Sequence, residues 1–168
     1  MKKINTGYII MLLDINHYVT QCAPNIAQVT MMAIVKTESN NQYLAINLNG
    51  GLRLRLMPNS YTQAVSWVNY LEKNNYNFDV GLAQINIKNI HKYGYHAYEV
   101  LEPCTNLQIA AKILSNNYNR AQASSLTNQE ALKKAISAYN TGNYRSGFSN
   151  GYVAKVTKNA QQILSIND

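Results

Sequence analysis

Acidic residues are scarce in this sequence. Only 8 Asp and Glu residues accompany 15 Lys and Arg residues, which gives the 168-residue chain a formal net charge of +7. Such an excess of positive charge favours a polyanionic partner, for example nucleic acid, anionic lipid or a cell-wall polymer. It is equally compatible with a role in solubility alone. Lys133-Lys134 is too small a basic cluster to indicate DNA recognition, so we expect no nucleic-acid partner.

Long apolar runs are missing as well. Near the start, Tyr8-Ile-Ile-Met-Leu-Leu13 follows Lys2 and Lys3 and resembles the apolar core of a signal peptide. It is shorter than the usual core of about 7–15 residues and far too short to span a membrane. We expect it to be helical and leave export open. Residues 1–20 are therefore set apart as an N-terminal segment that a short or degenerate export signal would fit, and residues 21–168 are expected to form a single domain.

Motifs for several reaction classes are absent. The sequence has no Gly-x-Ser-x-Gly motif of a serine hydrolase and no phosphate-binding loop. None of its histidines has the spacing from a carboxylate or a thiol that a metal site requires; they are His17, His91 and His96. We therefore expect no metal site.

Cysteine is limited to two residues. In an oxidising compartment Cys22 and Cys104 can pair only with each other. A bridge that closes so long a loop would stabilise the fold by about 4–5 kcal/mol in the chain-entropy model. The alternative is a pair of inert buried thiols.

Helical periodicity dominates the rest of the chain. Pro24-Asn25 is expected to open a strong helix, and Glu38 falls four residues after Ile34, on the same face and at the helix end. A last helix is expected from about Tyr152. Three further helices begin with capping boxes, in which a side-chain oxygen satisfies a free backbone N–H. These boxes are Ser60-Tyr-Thr-Gln63, Thr105-Asn-Leu-Gln108 and Thr127-Asn-Gln-Glu130.

One segment has the period of a β-strand instead. Leu44, Ile46 and Leu48 alternate with small or polar residues, Asn49-Gly50-Gly51 can form a turn, and Leu52-Arg-Leu-Arg-Leu56 alternates again. This pattern predicts a β-hairpin. The fold class is therefore α+β, mostly helical, with one small hairpin.

Glu38 is the first candidate for chemistry. Cleavage of a glycosidic bond needs a proton for the leaving oxygen, and a glutamate supplies it at neutral pH only when its pKa is raised. Burial against apolar neighbours is the simplest way to raise that pKa. Glu38 continues an apolar face at a helix end, where its side chain can point into a cleft. A glutamate at a helix end is, however, more often solvated.

Two further segments carry polar groups in a suitable order. Gly81-Leu-Ala-Gln-Ile-Asn86 joins a glycine turn to the amides of Gln84 and Asn86, which can bind sugar hydroxyl and N-acetyl groups. The alternative is a plain turn that enters a helix. In Ala138-Tyr-Asn-Thr-Gly142, Tyr139 is either a core residue or a group that directs its hydroxyl at the site.

Together with Glu38-Ser39, these two segments resemble, in order, the three sequence blocks of the lysozyme-like lytic transglycosylases. The subgroup that serves type IV secretion and conjugation systems is the most similar. Further segments resemble that subgroup: Cys22-Ala-Pro24, residues 78–86, Glu102-Pro-Cys104 and residues 148–156. The resemblance implies a lysozyme-like transglycosylase domain at residues 21–168 that acts on peptidoglycan glycan strands in the periplasm.

The resemblance also implies roles for individual residues. Glu38 would be the catalytic acid and base, and Ser39 would orient it. The sugar site would be lined by Gln84, Asn86, Tyr139 and Asn140. The bond cut would be the MurNAc–GlcNAc bond, with a 1,6-anhydro product that opens the wall locally for the secretion machinery. No metal or cofactor is implied, and components of that machinery are the expected partners.

Two alternatives remain open at this point. A hydrolytic muramidase of the same fold would need a second carboxylate near the first. Asp79 is the one acidic residue inside a matching segment, although we expect it to brace its loop. The other alternative is a non-catalytic protein that binds the wall and uses the groove for assembly.

Overall fold

A computed structural model of the protein describes residues 15–167. The predicted N-terminal helix at Tyr8-Ile-Ile-Met-Leu-Leu13 lies outside this part of the chain. Within it, eight helices, one 3₁₀ turn at Glu99–Leu101 and three short strands follow one another. The helices are α1 (15–22), α2 (Gln28–Ser39), α3 (Tyr61–Lys73), α4 (Ile87–Lys92), α5 (Pro103–Gln122), α6 (Asn128–Thr141), α7 (Ser146–Ser149) and α8 (Tyr152–Asn167). The strands are β1 (Ile46–Leu48), β2 (Phe78–Val80) and β3 (Ile85–Asn86).

Two of the three predicted capping boxes begin helices as expected. Ser60 Oγ accepts a hydrogen bond from the backbone N–H of Gln63 at the start of α3, and Thr127 Oγ1 accepts one from Glu130 at the start of α6. Each satisfies a donor that has no partner within the first turn of the helix. The last helix begins at Tyr152, also as expected.

Two helix starts were predicted wrongly. α5 begins at Pro103 rather than after Thr105, because the Glu102 carboxylate is the cap and accepts from the backbone N–H of Thr105 at 2.8 Å. Proline is favoured in a first helical turn, since it lacks the N–H that would go unpaired there. α2 begins at Gln28, so Pro24-Asn25 lies in the turn before it.

The predicted hairpin within residues 43–57 does not form, although the α+β, mostly helical class is confirmed. β1 pairs with β2, with Ile46 opposite Val80, and β2 pairs with β3, so the sheet is antiparallel and three-stranded. Ile46 and Val80 are fully buried, whereas Leu56 remains 75% exposed. Burial of apolar surface therefore favours the pairing of β1 with the distant strand β2 over its pairing with the adjacent residues 52–56.

α2 lies at the centre of the fold and contributes to two apolar clusters. Met31 and Val35 belong to the cluster that includes the sheet, whereas Ala33 and Ile34 belong to one formed with α5, α6 and α8. All four of these residues are fully buried. Glu38, in the last turn of α2, is consequently held by a helix that is packed on both sides.

A disulfide joins Cys22, at the end of α1, to Cys104, in the first turn of α5, with a Cα–Cα distance of 5.1 Å. The predicted pairing is thus confirmed. It fixes the polypeptide just before α2 to the helix that forms one wall of the site described below. None of the helices in residues 15–167 combines the length and the apolar character needed to cross a membrane.

Candidate active site

Glu38 is a largely buried carboxyl group at the end of the central helix. α2 ends one residue later, at Ser39, because Asn40 adopts the left-handed conformation, with φ of 53°, and Asn41 follows with φ of 69°. Asparagine tolerates this conformation better than most residues. The Tyr152 hydroxyl, at the first residue of α8, donates a hydrogen bond to Glu38 Oε1. The carboxyl group is therefore held between the two helices.

The pKa of Glu38 is raised to about 7, and burial is the main cause. The negative charge of Asp79 raises it further, whereas the hydrogen bond from Tyr152 and the positive charge of Lys155 lower it. Burial disfavours a charged carboxylate because the interior solvates it less well than water does. Near neutral pH, Glu38 is thus divided between its acid and base forms, as a group that first donates and then accepts a proton requires.

Glu38 faces two cavities. The larger has a volume of about 750 Å³ and is also lined by Asp79, Gln84, Asn86, Tyr139 and Asn140. The structure thus brings four of the five predicted substrate-binding residues into one cavity with the predicted acid. The fifth, Ser39, lines a neighbouring cavity of about 480 Å³ on which Glu38 also borders.

Ser39 does not have the contact expected of a residue that orients Glu38. It is buried, and its hydroxyl donates to the backbone carbonyl of Val35 in its own helix at 3.2 Å. Such a bond to the preceding turn is common for serine in helices. The hydroxyl that contacts the carboxyl group belongs to Tyr152. Sequence reasoning did not select Tyr152 as a site residue, although it lies in residues 148–156, a segment that carried the family resemblance.

Gln84 fixes the floor of the larger cavity. Its side-chain Nε2 donates to the carbonyls of Gly81 at 2.8 Å and Ala45 at 3.2 Å, and its Oε1 accepts from Asn47 at 2.7 Å. Gln84 itself has a φ of 48°. The Gln84 side-chain amide therefore holds the loop at residues 81–84 against the segment that forms β1.

A buried asparagine that sequence reasoning missed holds the other side of this loop. Asn106 in α5 accepts from the backbone N–H of Ala83 at 2.8 Å and donates to the carbonyls of Val80 at 2.8 Å and Val100 at 3.0 Å. The side chain is thus paired with three backbone groups, as a buried polar side chain requires. The available signal was a polar residue on the apolar face of α5, next to Leu107.

Asp79 and Asn86 form a polar cluster in the same cavity. Asn86 Nδ2 donates to Asp79 Oδ1 at 2.7 Å, and Asn49 Nδ2 donates to Asp79 Oδ2 at 3.0 Å. Burial raises the pKa of Asp79, and these two amide bonds oppose that rise. Asn86 Oδ1 also caps α4 by accepting from the N–H of Lys88. Asp79 was expected to brace a loop; it lies instead within strand β2, where it accepts from Asn86 of β3 and from Asn49 just after β1, and it lines the cavity.

Tyr139 and Asn140 come from the end of α6. The Tyr139 hydroxyl donates to the Ala83 carbonyl at 2.8 Å, and burial, followed by the charge of Glu38, raises its pKa well above the usual range. Asn140 is exposed, and its Oδ1 accepts from Asn150 at 3.0 Å. Tyr139 is therefore a neutral residue that positions the loop, and Asn140 lies where a ligand can reach it.

The histidines of the described region form no metal centre with other residues. No group of three or more His, Cys, Asp or Glu side chains in residues 15–167 is arranged to hold a metal ion. His91 Nε2 instead lies 2.6 Å from Glu72 Oε1, and His96 Nδ1 lies 3.6 Å from the same atom.

Known sequences match this chain over most of its length. The family model for the Transglycosylase SLT domain matches residues 18–162. The type IV secretion system protein virB1 of Brucella abortus is 41% identical over 147 residues, which cover 83% of this chain and 61% of that protein. Protein virB1 of Agrobacterium fabrum is 37% identical over 151 residues, 90% of this chain and 61% of the relative.

The similarity therefore covers a part of these relatives. Protein virB1 of Rhizobium radiobacter is 39% identical over 152 residues, 90% of this chain and 62% of the relative. The chain spans about three fifths of the length of the curated relatives that it matches. No solved structure gives a significant match.

Proposed function

Because the chain belongs to the Transglycosylase SLT domain family, we propose that it is a peptidoglycan lytic transglycosylase that cleaves the MurNAc–GlcNAc bond without water. The observation that carries the proposal is Glu38, a largely buried carboxyl group with a pKa of about 7 in a cavity large enough for a ligand. Gln84, Asn86, Tyr139 and Asn140 would line the sugar site beside it.

In the first step, protonated Glu38 would donate its proton to the oxygen of the leaving GlcNAc. The bond from this oxygen to C1 of MurNAc would break, and the carbonyl oxygen of the substrate's own N-acetyl group would form a new bond to C1. This group therefore takes the place of a protein nucleophile. The raised pKa of Glu38 supports the role, since a glutamate with an ordinary pKa would hold little of its acid form at neutral pH.

In the second step, ionised Glu38 would remove the proton from the C6 hydroxyl of MurNAc. The C6 oxygen would form a bond to C1, the bond from the N-acetyl oxygen would break, and a 1,6-anhydro ring would result. No water is consumed, and Glu38 ends in its protonated form. The hydrogen bond from the Tyr152 hydroxyl would stabilise the ionised intermediate state of Glu38.

A hydrolytic muramidase is the second candidate, and Asp79 favours it because its carboxylate lines the same cavity as Glu38. In that case Asp79 would stabilise the positive sugar carbon while water attacks. Against this, both oxygens of Asp79 accept hydrogen bonds from asparagine amides that brace the sheet. We therefore propose the transglycosylase as the first candidate.

The setting that we propose is the periplasmic wall at a type IV secretion or conjugation apparatus. The name of the Brucella abortus relative supports it, since that protein is a type IV secretion system protein. The disulfide between Cys22 and Cys104 supports an oxidising compartment such as the periplasm. Components of the apparatus would be the partners. The N-terminal segment at residues 1–20 would carry the export signal, ahead of the enzymatic domain at residues 21–168, although Ile15 and Val19 of that segment are buried in the core.

Mass spectrometry of the soluble products of purified peptidoglycan tests the proposal. The wild-type protein and Glu38→Gln would be compared at neutral pH, with the melting temperature of both as a control for folding. We expect 1,6-anhydro-muropeptides from the wild type and none from Glu38→Gln. An anhydro product is one water lighter than a hydrolytic product and has no reducing end.

Each other outcome has a definite meaning. Products with a reducing end would show hydrolysis and would therefore favour the muramidase over the transglycosylase. Retention on peptidoglycan by both proteins, without products from either, would indicate a non-catalytic protein that binds the wall.

A further inference from the structure

The cavity that contains Glu38 also has a cationic wall. Lys88 and Lys92 are four residues apart in α4 and therefore share one face of that helix. Arg120 of α5 lines the same cavity. All three side chains are exposed and thus accessible to a ligand.

The helices that carry these cations are joined to each other. Asn116 Nδ2 of α5 contacts the Tyr93 hydroxyl, just after α4, at 3.4 Å, and Lys112 Nζ lies 6.0 Å from the centre of the Tyr93 ring. Arg120 is held along its own helix, with Nε donating to the Asn116 carbonyl at 3.1 Å and Nη2 to Asn117 Oδ1 at 3.2 Å. The wall is therefore built on two connected helices rather than on a loop.

The acidic side chains that line the cavity do not form ion pairs with Lys88, Lys92 or Arg120. Its two acidic side chains, Glu38 and Asp79, accept hydrogen bonds from Tyr152 and from asparagines. The ion pairs in the described part of the chain join Glu72 to histidines and Glu130 to Lys134. Sugar rings are neutral, so the cleavage of a glycan backbone alone does not require three cations beside it.

We propose that Lys88, Lys92 and Arg120 form a subsite for the carboxylates of the peptide stem on the muramic acid. This inference rests on the function proposed above and adds a substrate preference, namely for glycan strands that still carry their peptides. The stem peptide of peptidoglycan branches from the sugar that is cleaved and bears several carboxylates. Lysine and arginine bind such groups through charge-assisted hydrogen bonds. A cavity of about 750 Å³ is large enough to hold sugar and peptide groups together.

The kinetic test uses two forms of the same substrate. Glycan strands would be assayed intact and after an amidase has removed their stem peptides, which leaves one lactyl carboxylate on each muramic acid in place of the several carboxylates of a stem. The variant is Lys88→Gln with Lys92→Gln, which leaves Arg120 and its contacts in place. We expect kcat/KM to fall about fivefold on intact strands, the effect of losing two solvent-exposed charge interactions, and to stay within about twofold on peptide-free strands.

The matched control is Lys73→Gln with Lys158→Gln, which removes the same charge from exposed positions in α3 and α8 that do not line this cavity. We expect this control to act on both substrates like the wild type. An equal fall on both substrates for the Lys88 and Lys92 variant, or no fall on either, would overturn the proposal. So would an equal effect of the control variant on intact strands.

A binding measurement separates this inference from the proposed function. Glu38→Gln, which we expect to be inactive, would be mixed with intact and amidase-treated peptidoglycan, and the bound fraction measured at two salt concentrations. Tighter, more salt-sensitive binding to the intact form, lost when Lys88→Gln and Lys92→Gln are added, supports the subsite even if no lytic product is ever found. Equal binding to both forms rejects it.

Discussion

Tyr152 and Glu38 are 114 positions apart in the sequence, and the hydroxyl of the first donates a hydrogen bond to the carboxyl group of the second. The bond joins the first turn of α8 to the last turn of α2. It favours the ionised form of Glu38, whereas burial favours the neutral form, and burial has the larger effect. Single substitutions can therefore raise or lower the pKa of Glu38, depending on which of these contributions they remove.

Tyr152→Phe should raise the pKa of Glu38, because it removes the hydrogen bond that lowers this pKa. In the proposed mechanism the first step requires protonated Glu38, and its rate falls as the pH rises through the pKa of this group, so the basic limb of the pH–rate profile should move to higher pH. We also expect kcat to fall about tenfold, since the carboxyl group loses its positioning contact. Tyr139→Phe is the control: its hydroxyl contacts Ala83 instead, so the basic limb should stay in place. Identical profiles for Tyr152→Phe and the wild type would reject the role of the bond.

Asp79→Asn and Lys155→Gln should move the basic limb of the pH–rate profile in opposite directions. The negative charge of Asp79 raises the pKa of Glu38 and the positive charge of Lys155 lowers it. The limb should therefore shift to lower pH in Asp79→Asn and to higher pH in Lys155→Gln, and both shifts should shrink in high salt. Measurement of kcat/KM against pH checks this. A large loss of activity in Asp79→Asn at every pH, with no shift of the limb, would instead favour the muramidase.

Replacement of both Cys22 and Cys104 by serine should lower the free energy of unfolding. The disulfide spans 82 residues of sequence, and the chain-entropy model assigns about 4–5 kcal/mol to a loop of this size. Urea denaturation of the wild type and of the double variant, each with and without a reductant, measures the difference. Reductant should destabilise the wild type only. An intact mass that shows two free thiols in protein prepared without reductant would contradict the bridge.

Gly81→Ala should destabilise the fold more than Gly94→Ala, although both glycines have nearly the same backbone conformation. Their φ angles are 79° and 81°, so an alanine is strained at either position, by about 1–2 kcal/mol. A Cβ on Gly81 would in addition lie 2.3 Å from Asn106 Nδ2, whereas one on Gly94 meets no atom within 4 Å. Only Gly81→Ala should therefore also lose activity, because Asn106 holds the loop of Gln84. Equal urea midpoints for the two variants would show that Asn106 can move aside at no cost.

Local signals in the sequence predicted most of the helices. The caps at Ser60 and Thr127 act within one turn of chain, and so the sequence contains both donor and acceptor. The start of α5 was missed because Glu102 acts as the cap and Pro103 follows it, and this pair competes with the equally plausible box at Thr105. Two caps, Glu102 and Thr105, were therefore compatible with the local sequence, and the structure uses Glu102.

Features that depend on distant partners could not be predicted in this way. The leucines at 52–56 have the right alternation for a strand, but β1 pairs instead with a strand about thirty residues away, where Phe78 and Val80 are buried. In the site, Gln84, Asn86 and Tyr139 were found because their segments resemble known blocks, and they do line one cavity. The contacts of Tyr152 and Asn106 were not found, because a hydrogen bond across the fold leaves no local pattern.

The position of Tyr152 also means that the site is completed only late in synthesis of the chain. A ribosome completes α2, and with it Glu38, more than a hundred residues before it adds the tyrosine that binds Glu38. A nascent or C-terminally clipped chain that ends before α8 would have its acid without its partner and without the apolar cover of Val153 and Val156. Under the proposed function, a fragment that ends before α8 would therefore lack the hydrogen bond that positions Glu38 and lowers its pKa, and we expect it to be a poorer catalyst than the complete chain.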